Sequence, residues 1–217
     1  MNKYFGIRSG HLIKIDKIAR LPQTLSQTNL PHYFPNYQDA YDFVFQKSFA
    51  TTHEKQLIRS HQLDLIIYTD GGQRNSNDGA WAYSINDNQS QLFHDEAYFN
   101  TKNNNYCELE AEIQSLRKII KLHEYYRYIQ LDTDSIAVKN ITKNIRHGIS
   151  IQSIARNTEW KISQLRRLKL TLHRFTHLKI KKIKGHSGVI GNQLVHQMCS
   201  QAMNSVYLHR YDPFRIN

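Results

Sequence analysis

From Leu63 onward the chain switches between two periods of apolar and polar positions. LDLIIYTD is a short apolar run that ends in a carboxylate. AWAYSI and QLFHDEAYF alternate and are separated by the polar turn NDNQS, so three strands are predicted. ELEAEIQSLRKIIKLHEYY then places Leu109, Ile113, Leu116 and Ile120 at steps of four, three and four, which predicts a helix. YIQLDTD reads as a buried strand and SIAVKNITKNI as a second helix. NTEWKISQLRRLKLTLHRF reads as a third, with Ile162, Leu165, Leu168, Leu172 and Phe175 on its apolar face. LKIKKI is a further strand. A closing helix begins near Asn192, with Leu194, Val195, Met198, Cys199, Ala202, Met203 and Val206 facing inward. This order predicts an α/β fold, a mixed sheet covered by helices.

Residues 1–50 read as a separate small α+β domain. KYFGIR and HLIKID are short strands around a Ser9-Gly10 turn, KIARLPQTLSQ is weakly helical and broken by Pro22, and HYF precedes a helix over PNYQDAYDFVFQ. Residues 51–62 lie in a polar stretch without clear periodicity and are expected to be a linker. Residues 63–217 form the larger domain. There is no internal repeat and no low-complexity tract.

Composition narrows the class. A hydrophobic content of 40%, with 13 Tyr and 9 Phe, supports a packed core. Two cysteines, Cys107 and Cys199, make neither a disulfide framework nor a CxxC metal pair, which fits a reducing compartment. MNKYFGIRSG has no apolar signal core, and no apolar run approaches the ~18 residues of a membrane span. A soluble, cytoplasmic protein is expected, with no membrane partner and no small-molecule cofactor. The net charge of +11 is concentrated, because thirteen of the 29 Lys/Arg and one of the 18 acids lie between Ile136 and His186. The rest of the chain is about neutral. Cations gathered in one stretch fit a polyanion partner, although a solvated helix face would have the same composition.

The carboxylates fall where chemistry is usually placed. Asp70 ends the first strand of the larger domain before Gly71-Gly72, Glu108 stands in the first turn of the first helix, and Asp134 ends YIQLDTD. Each has an ordinary structural role open to it: a turn for Asp70, a favourable helix N-terminus for Glu108, an N-cap for Asp134. Asp132 shares Asp134's side of the strand and is a decoy. Together, three carboxylates at one edge of a sheet suit Mg²⁺, which takes hard oxygen ligands and leaves positions for phosphate and water. Two such ions about 4 Å apart can hold the attacking and leaving oxygens of a phosphodiester.

YTDGG…N…GAWAYSI, NNYCELEAEI, LDTDS and KGHSGVIGNQLVHQMCSQA resemble, in order, the four motifs of the type 1 ribonuclease H family, over residues 63–206. The resemblance implies a ribonuclease H-like five-stranded mixed sheet. It implies an endonuclease that cuts the RNA strand of RNA–DNA hybrids by a two-metal-ion mechanism, leaving 5′-phosphate and 3′-hydroxyl ends; a monomer is expected, though no residue pattern bears on it. It also implies roles for residues of this chain. Asp70, Glu108 and Asp134 are metal-binding and catalytic. Asn104 and Asn105 read the hybrid's minor groove, where 2′-hydroxyls are displayed. Asn75 and Ser135 contact substrate, and His186, flanked by Gly185 and Gly188, is a mobile proton shuttle or product-release residue.

One motif departs from the family. Where the pattern is Gly-Asn-Glu-x-x-Asp, this chain has Gly191-Asn192-Gln193-Leu194-Val195-His196. His196 thus replaces the fourth catalytic Asp. It lies roughly 105° from the centre of the buried helix face, on a flank from which it could reach inward. Imidazole is a neutral, softer ligand, so an active enzyme using His196 is expected to prefer Mn²⁺ to Mg²⁺. The competing readings are a binding protein that has lost catalysis and a DNA nuclease of the same fold. The small N-terminal unit resembles the hybrid-binding (viroplasmin-like) domain that precedes ribonuclease H in many proteins. It lacks that domain's Trp after the second strand and its lysine pair.

Overall fold

The computed structural model describes residues 4–9, 12–17, 32–34, 47–74, 77–101, 103–122, 126–156, 161–185 and 188–210. In the first fifty residues, β1 (Tyr4–Ser9) and β2 (Leu12–Lys17) form an antiparallel hairpin, and β3 (His32–Phe34) pairs antiparallel with β1. These are the three strands expected there. The two expected helices of this region lie outside the described residues.

The larger unit is built on a five-stranded sheet. Its strands are β4 (Leu65–Arg74), β5 (Asp78–Asn86), β6 (Gln91–Asn100), β7 (Tyr128–Thr133) and β8 (His177–Lys182), in the spatial order β6-β5-β4-β7-β8. β4, β5 and β6 form an antiparallel meander joined by short turns, whereas β4–β7 and β7–β8 are parallel and need helical crossovers. The mixed sheet expected from sequence is therefore present.

Residues 51–62, expected to be a linker, are not one. Thr52–Arg59 form α1, opened by a capping box in which Thr51 and Glu54 satisfy each other's backbone N–H groups. Residues 47–50 also belong to the larger unit. Lys47 bridges to Ser90, and the Phe49 N–H donates to Asn86 Oδ1 at 3.0 Å. Polar composition hid α1 because most of its length faces solvent while Glu54, its one fully buried residue, is itself charged.

Both faces of the sheet are covered. One side carries α2 (Asn104–Lys121), α3 (Ile136–Arg146), α4 (Ile151–Arg156) and α5 (Ile162–Leu172), packed with Leu65, Ile67, Ile85, Ile129 and Leu131. The other side carries α6 (Ile190–Arg210), whose Leu194, Val195, Met198, Cys199, Ala202 and Met203 are buried with Ile66 and Tyr68. Phe49 and Ala50 join this second core. Consecutive residues of β4 thus serve opposite cores, as a strand buried on both faces must. On α5, Leu165, Leu168 and Leu172 face inward as expected, but Ile162 is 42% exposed because it begins the helix at the rim.

Candidate active site

β4 does not stop at Asp70, as its sequence led us to expect; it continues through Gly71 and Gly72 to Arg74. Asp70 is therefore held in mid-strand, paired with Ala82 of β5 just past the end of the β7 pairing, and not in a turn. The glycine after it has a packing reason. A Cβ on Gly71 would lie 2.1 Å from the backbone nitrogen of Glu108, so only glycine lets α2 approach β4 this closely. That approach brings the Glu108 carboxylate to Asp70. α2 begins at Asn104, a turn earlier than expected, so Glu108 sits in the second turn and is not used to favour the helix start.

Asp134 follows β7 and does not cap α3. Ser135 is the N-cap, its hydroxyl accepting from the Val138 N–H at 3.3 Å, which leaves the Asp134 carboxylate out of the cap. Gly185, in the loop after β8, presses against it, since a Cβ there would lie 2.9 Å from Asp134 Oδ2. The three carboxylates converge: one oxygen from each of Asp70, Glu108 and Asp134 lies within 4.8 Å of the others.

The electrostatics are those of a site built for a cation. Asp70 and Glu108 are both buried, and among the described residues no Lys or Arg lies within 4.0 Å of the three acids. Burial, and then the neighbouring charges of Asp70 and Asp134, push the Glu108 carboxyl well above its usual range. Asp70 is also raised by burial, against the opposing effect of a hydrogen bond from His196. Glu108 Oε2 is buried with no hydrogen-bond partner among the described residues. A buried acceptor without a partner among the described residues, beside two further carboxylates, fits divalent cations, whose oxygen preference matches this donor set.

His196 projects from the exposed flank of α6, and its Nδ1 lies 3.1 Å from Asp70 Oδ2. The flank position expected from helical geometry does reach the site. This contact raises the imidazole's proton affinity, burial opposing it. Next to it on the helix, the Cys199 thiol donates to the Asp70 carbonyl at 3.2 Å, pinning β4 to α6. Gly191 admits Tyr68 beneath the start of α6, where a Cβ would lie 2.2 Å from the ring.

Asn104 and Asn105 are exposed on the first turn of α2, with Asn103 as N-cap accepting from the Asn105 N–H at 2.9 Å. They stand one helical turn from Glu108, so both amides and the carboxylate share one helix. Asn75 and His186 lie outside the described residues. The decoy, Asp132, has partners that sequence did not reveal. It shares a buried cluster with Glu54, Tyr68 and Gln130, and Lys181 lies 3.6 Å from it. The only available signal was the capping-box pattern Thr51…Glu54, which announces α1 but not its docking.

Residues 62–204, more than half of the chain, match the RNase H family. No curated protein sequence matches the chain. Among solved structures, the PFV RNase H domain is 17% identical, with 65% of this chain and 95% of that one covered and a TM-score of 0.52. The N-terminal RNase H domain of a Mycobacterium tuberculosis protein is 14% identical, covering 67% and 97%, with a TM-score of 0.51. A foamy viral protease-reverse transcriptase, solved in complex with an RNA/DNA hybrid, is 12% identical over 65% of this chain and 20% of its own, with a TM-score of 0.50. At such identities the structural likeness establishes the fold, and the family assignment rests on the sequence match and the order of motifs. The chain belongs to the RNase H family and is a ribonuclease H enzyme.

Proposed function

We propose that this enzyme hydrolyses the RNA strand of RNA–DNA hybrids with two divalent metal ions, leaving 5′-phosphate and 3′-hydroxyl ends. The observation that carries this reading is the convergence of Asp70, Glu108 and Asp134 around a buried, unpartnered Glu108 oxygen. A structural relative of the same fold is described in complex with an RNA/DNA hybrid, which supports that substrate. Asp70, Glu108 and Asp134 would hold the ions through their carboxylate oxygens, and His196 would add an imidazole as the fourth ligand. When bound there, divalent ions supply Lewis acidity and lower the pKa of the attacking water.

The chain's own groups do the rest. β4 and α2, locked together at Gly71, hold Asp70 and Glu108 rigidly and exclude water from behind them. Asn104 and Asn105 offer amides to the 2′-hydroxyls and base edges of the minor groove, with Asn75 and Ser135 as further substrate contacts. His186, between β8 and α6 in sequence, transfers a proton or assists product release. The replacement of Asp by neutral His196 favours Mn²⁺ over Mg²⁺, because imidazole suits transition metals better. The small N-terminal unit, read from sequence as residues 1–50, acts as a hybrid-binding domain that raises affinity without entering the chemistry.

The test is cleavage of end-labelled hybrid, double-stranded RNA and double-stranded DNA, each with Mg²⁺, Mn²⁺ or chelator. Metal-dependent cutting of the hybrid's RNA strand alone, with 5′-phosphate product ends, is expected. Cleavage of DNA would establish the DNA-nuclease reading, and binding without cleavage in any metal would establish the binding-protein reading.

A further inference from the structure

Among the described residues, none of the cations located by sequence lies within 4.0 Å of the three carboxylates. Several line a groove on the opposite flank of α3, which has no part in the proposed chemistry. α3 begins beside Asp134, through its cap Ser135, and runs along the edge strand β8. A cavity of about 370 Å³ lies between them, lined by Lys139, Thr142, Lys143, Arg146, His147 and Ile180. A second, of about 270 Å³, continues from Arg146 to Lys169, His173 and Phe175 at the end of α5. Lys143 lies roughly 12 Å along the helix axis from Ser135, at 1.5 Å per residue, so the track leads away from the site.

Arg146 serves the fold. Its guanidinium donates to the Leu178 carbonyl and, at 3.3 Å, to the Thr176 carbonyl, covering the free edge of β8. Lys139, Lys143, His147 and Lys169 have no such role. Among the described residues, no carboxylate lies within 4.0 Å of them. The described parts of α3, α4, α5 and β8 carry no acid at all. Glu112, beneath the groove floor, is fully buried and accepts from the Thr142 hydroxyl at 2.9 Å. Successive cations on α3 recur at about 5–6 Å, over an apolar floor of Ile180 that gives way to Phe175.

We infer that this groove binds the sugar–phosphate backbone of a single-stranded nucleic-acid segment extending from the hybrid. A trough between one helix and one edge strand admits a single backbone, whereas a duplex would only rest on its rim. A basic track with an aromatic side chain along it is the combination that holds single strands without regard to sequence. The inference rests on the hybrid as substrate, but it concerns a surface apart from the carboxylates.

The experiment compares a blunt hybrid, the same hybrid with a single-stranded oligothymidine tail of about 12 nucleotides, and the same hybrid lengthened by duplex. Binding is measured in chelator, so that a lack of cleavage would bear on the proposed function and not on the groove. The tail is expected to tighten binding by the wild-type chain about tenfold at low salt. Lys143→Gln/Lys169→Gln should remove that gain, lower the salt slope for the tailed substrate by about 1.4, and leave blunt binding and cleavage unchanged. Both lysines are exposed, and an unaltered melting curve shows that the variant folds. No gain from the tail, or a gain the variant retains, overturns the inference. So does an equal gain from the duplex extension that is lost in the variant, which would make the groove a duplex contact.

Discussion

Two groups of carboxylates occupy the same pair of strands and meet opposite fates. Tyr68 and Asp132 are ladder neighbours on β4 and β7, and two residues beyond them come Asp70 and Asp134. At the first position, donors surround the acids. Glu54 Oε2 accepts from the Tyr68 hydroxyl at 2.6 Å and from the Thr51 N–H at 2.8 Å. Gln130 donates to Asp132 at 2.8 Å and to Glu54 at 3.3 Å, and Lys181 lies within 3.7 Å of both. At the second position, Glu108 Oε2 has no partner, and Asp70 meets the half-exposed imidazole of His196. The cluster with a full set of donors fastens α1 to the sheet. The one short of donors is left with a charge that a bound cation can neutralise. Acidity and burial are alike in the two; the supply of side-chain donors differs, since Asp70 and Glu108 share only the Gly71 backbone N–H and the His196 imidazole.

The largest effect should come from breaking the donor-poor cluster. Asp70→Asn is expected to reduce metal-dependent hybrid cleavage by about a thousandfold while hybrid binding persists on the basic surface. Substantial turnover in that variant would remove Asp70 from the site. In the satisfied cluster the same kind of change should affect folding instead. Glu54→Ala leaves Asp132, Tyr68 and Lys181 without their common partner and should cost about 3 kcal/mol in urea unfolding, with cleavage per folded molecule unchanged. A stability loss at Asp70 and an activity loss at Glu54 would invert the contrast.

His196 tests how a partial partner behaves. His196→Ala should lower cleavage about tenfold or more with either ion, and His196→Asp should raise Mg²⁺-supported rates. Near-wild-type rates for His196→Ala would show that the imidazole only packs against Asp70. Because that contact raises the imidazole's proton affinity, protonation competes with metal as pH falls, and from a higher pH than for an imidazole without that contact. Activity should therefore fall on mild acidification in the wild type, and less so in His196→Asp.

Glu112 is intermediate between the two clusters: fully buried, with one hydroxyl for company, and its pKa is pushed up to about 8 by burial. The folded chain holds this proton where the unfolded chain, near the ordinary value of 4.5, has lost it. Stability consequently falls as pH rises from about 4.5 to about 8, by at most about 1.4 kcal/mol per unit. Glu112→Gln should flatten that slope in urea titrations across this window. Part of the slope will remain, because burial also raises Asp132, to about 7. An unaltered slope in Glu112→Gln would mean that the carboxyl is already ionised in the fold.

Much of this arrangement was legible in the chain. The apolar runs of β4 and β7 and the i, i+3, i+4 spacing on α2 and α6 announced a mixed sheet between helices, since a strand or helix buries a face only at its own period. Asp70, Glu108 and Asp134 stood out as carboxylates beside such elements, and His196 as an imidazole on a helix flank. Asp70 was misplaced to a strand end because Gly71-Gly72 imitates a turn. The real cause of the glycine, the close passage of α2, is a contact between residues far apart in sequence. Glu54 was missed for a similar reason, since α1 is short and its few apolar residues, Leu57 and Ile58, are only partly buried against the second core.

Local physics in the sequence determined which segments are strands and helices, which faces are apolar, and where charge accumulates, because each depends on neighbours a few residues away. Only the tertiary structure decided which acids are neutralised. It set Tyr68, Gln130 and Lys181 around Glu54 and Asp132, left Glu108 Oε2 without a donor among the described residues, and turned His196 to Asp70 from 126 residues away. A carboxylate's character depends on the partners and water it meets within a few ångströms, and those are fixed only when distant segments pack.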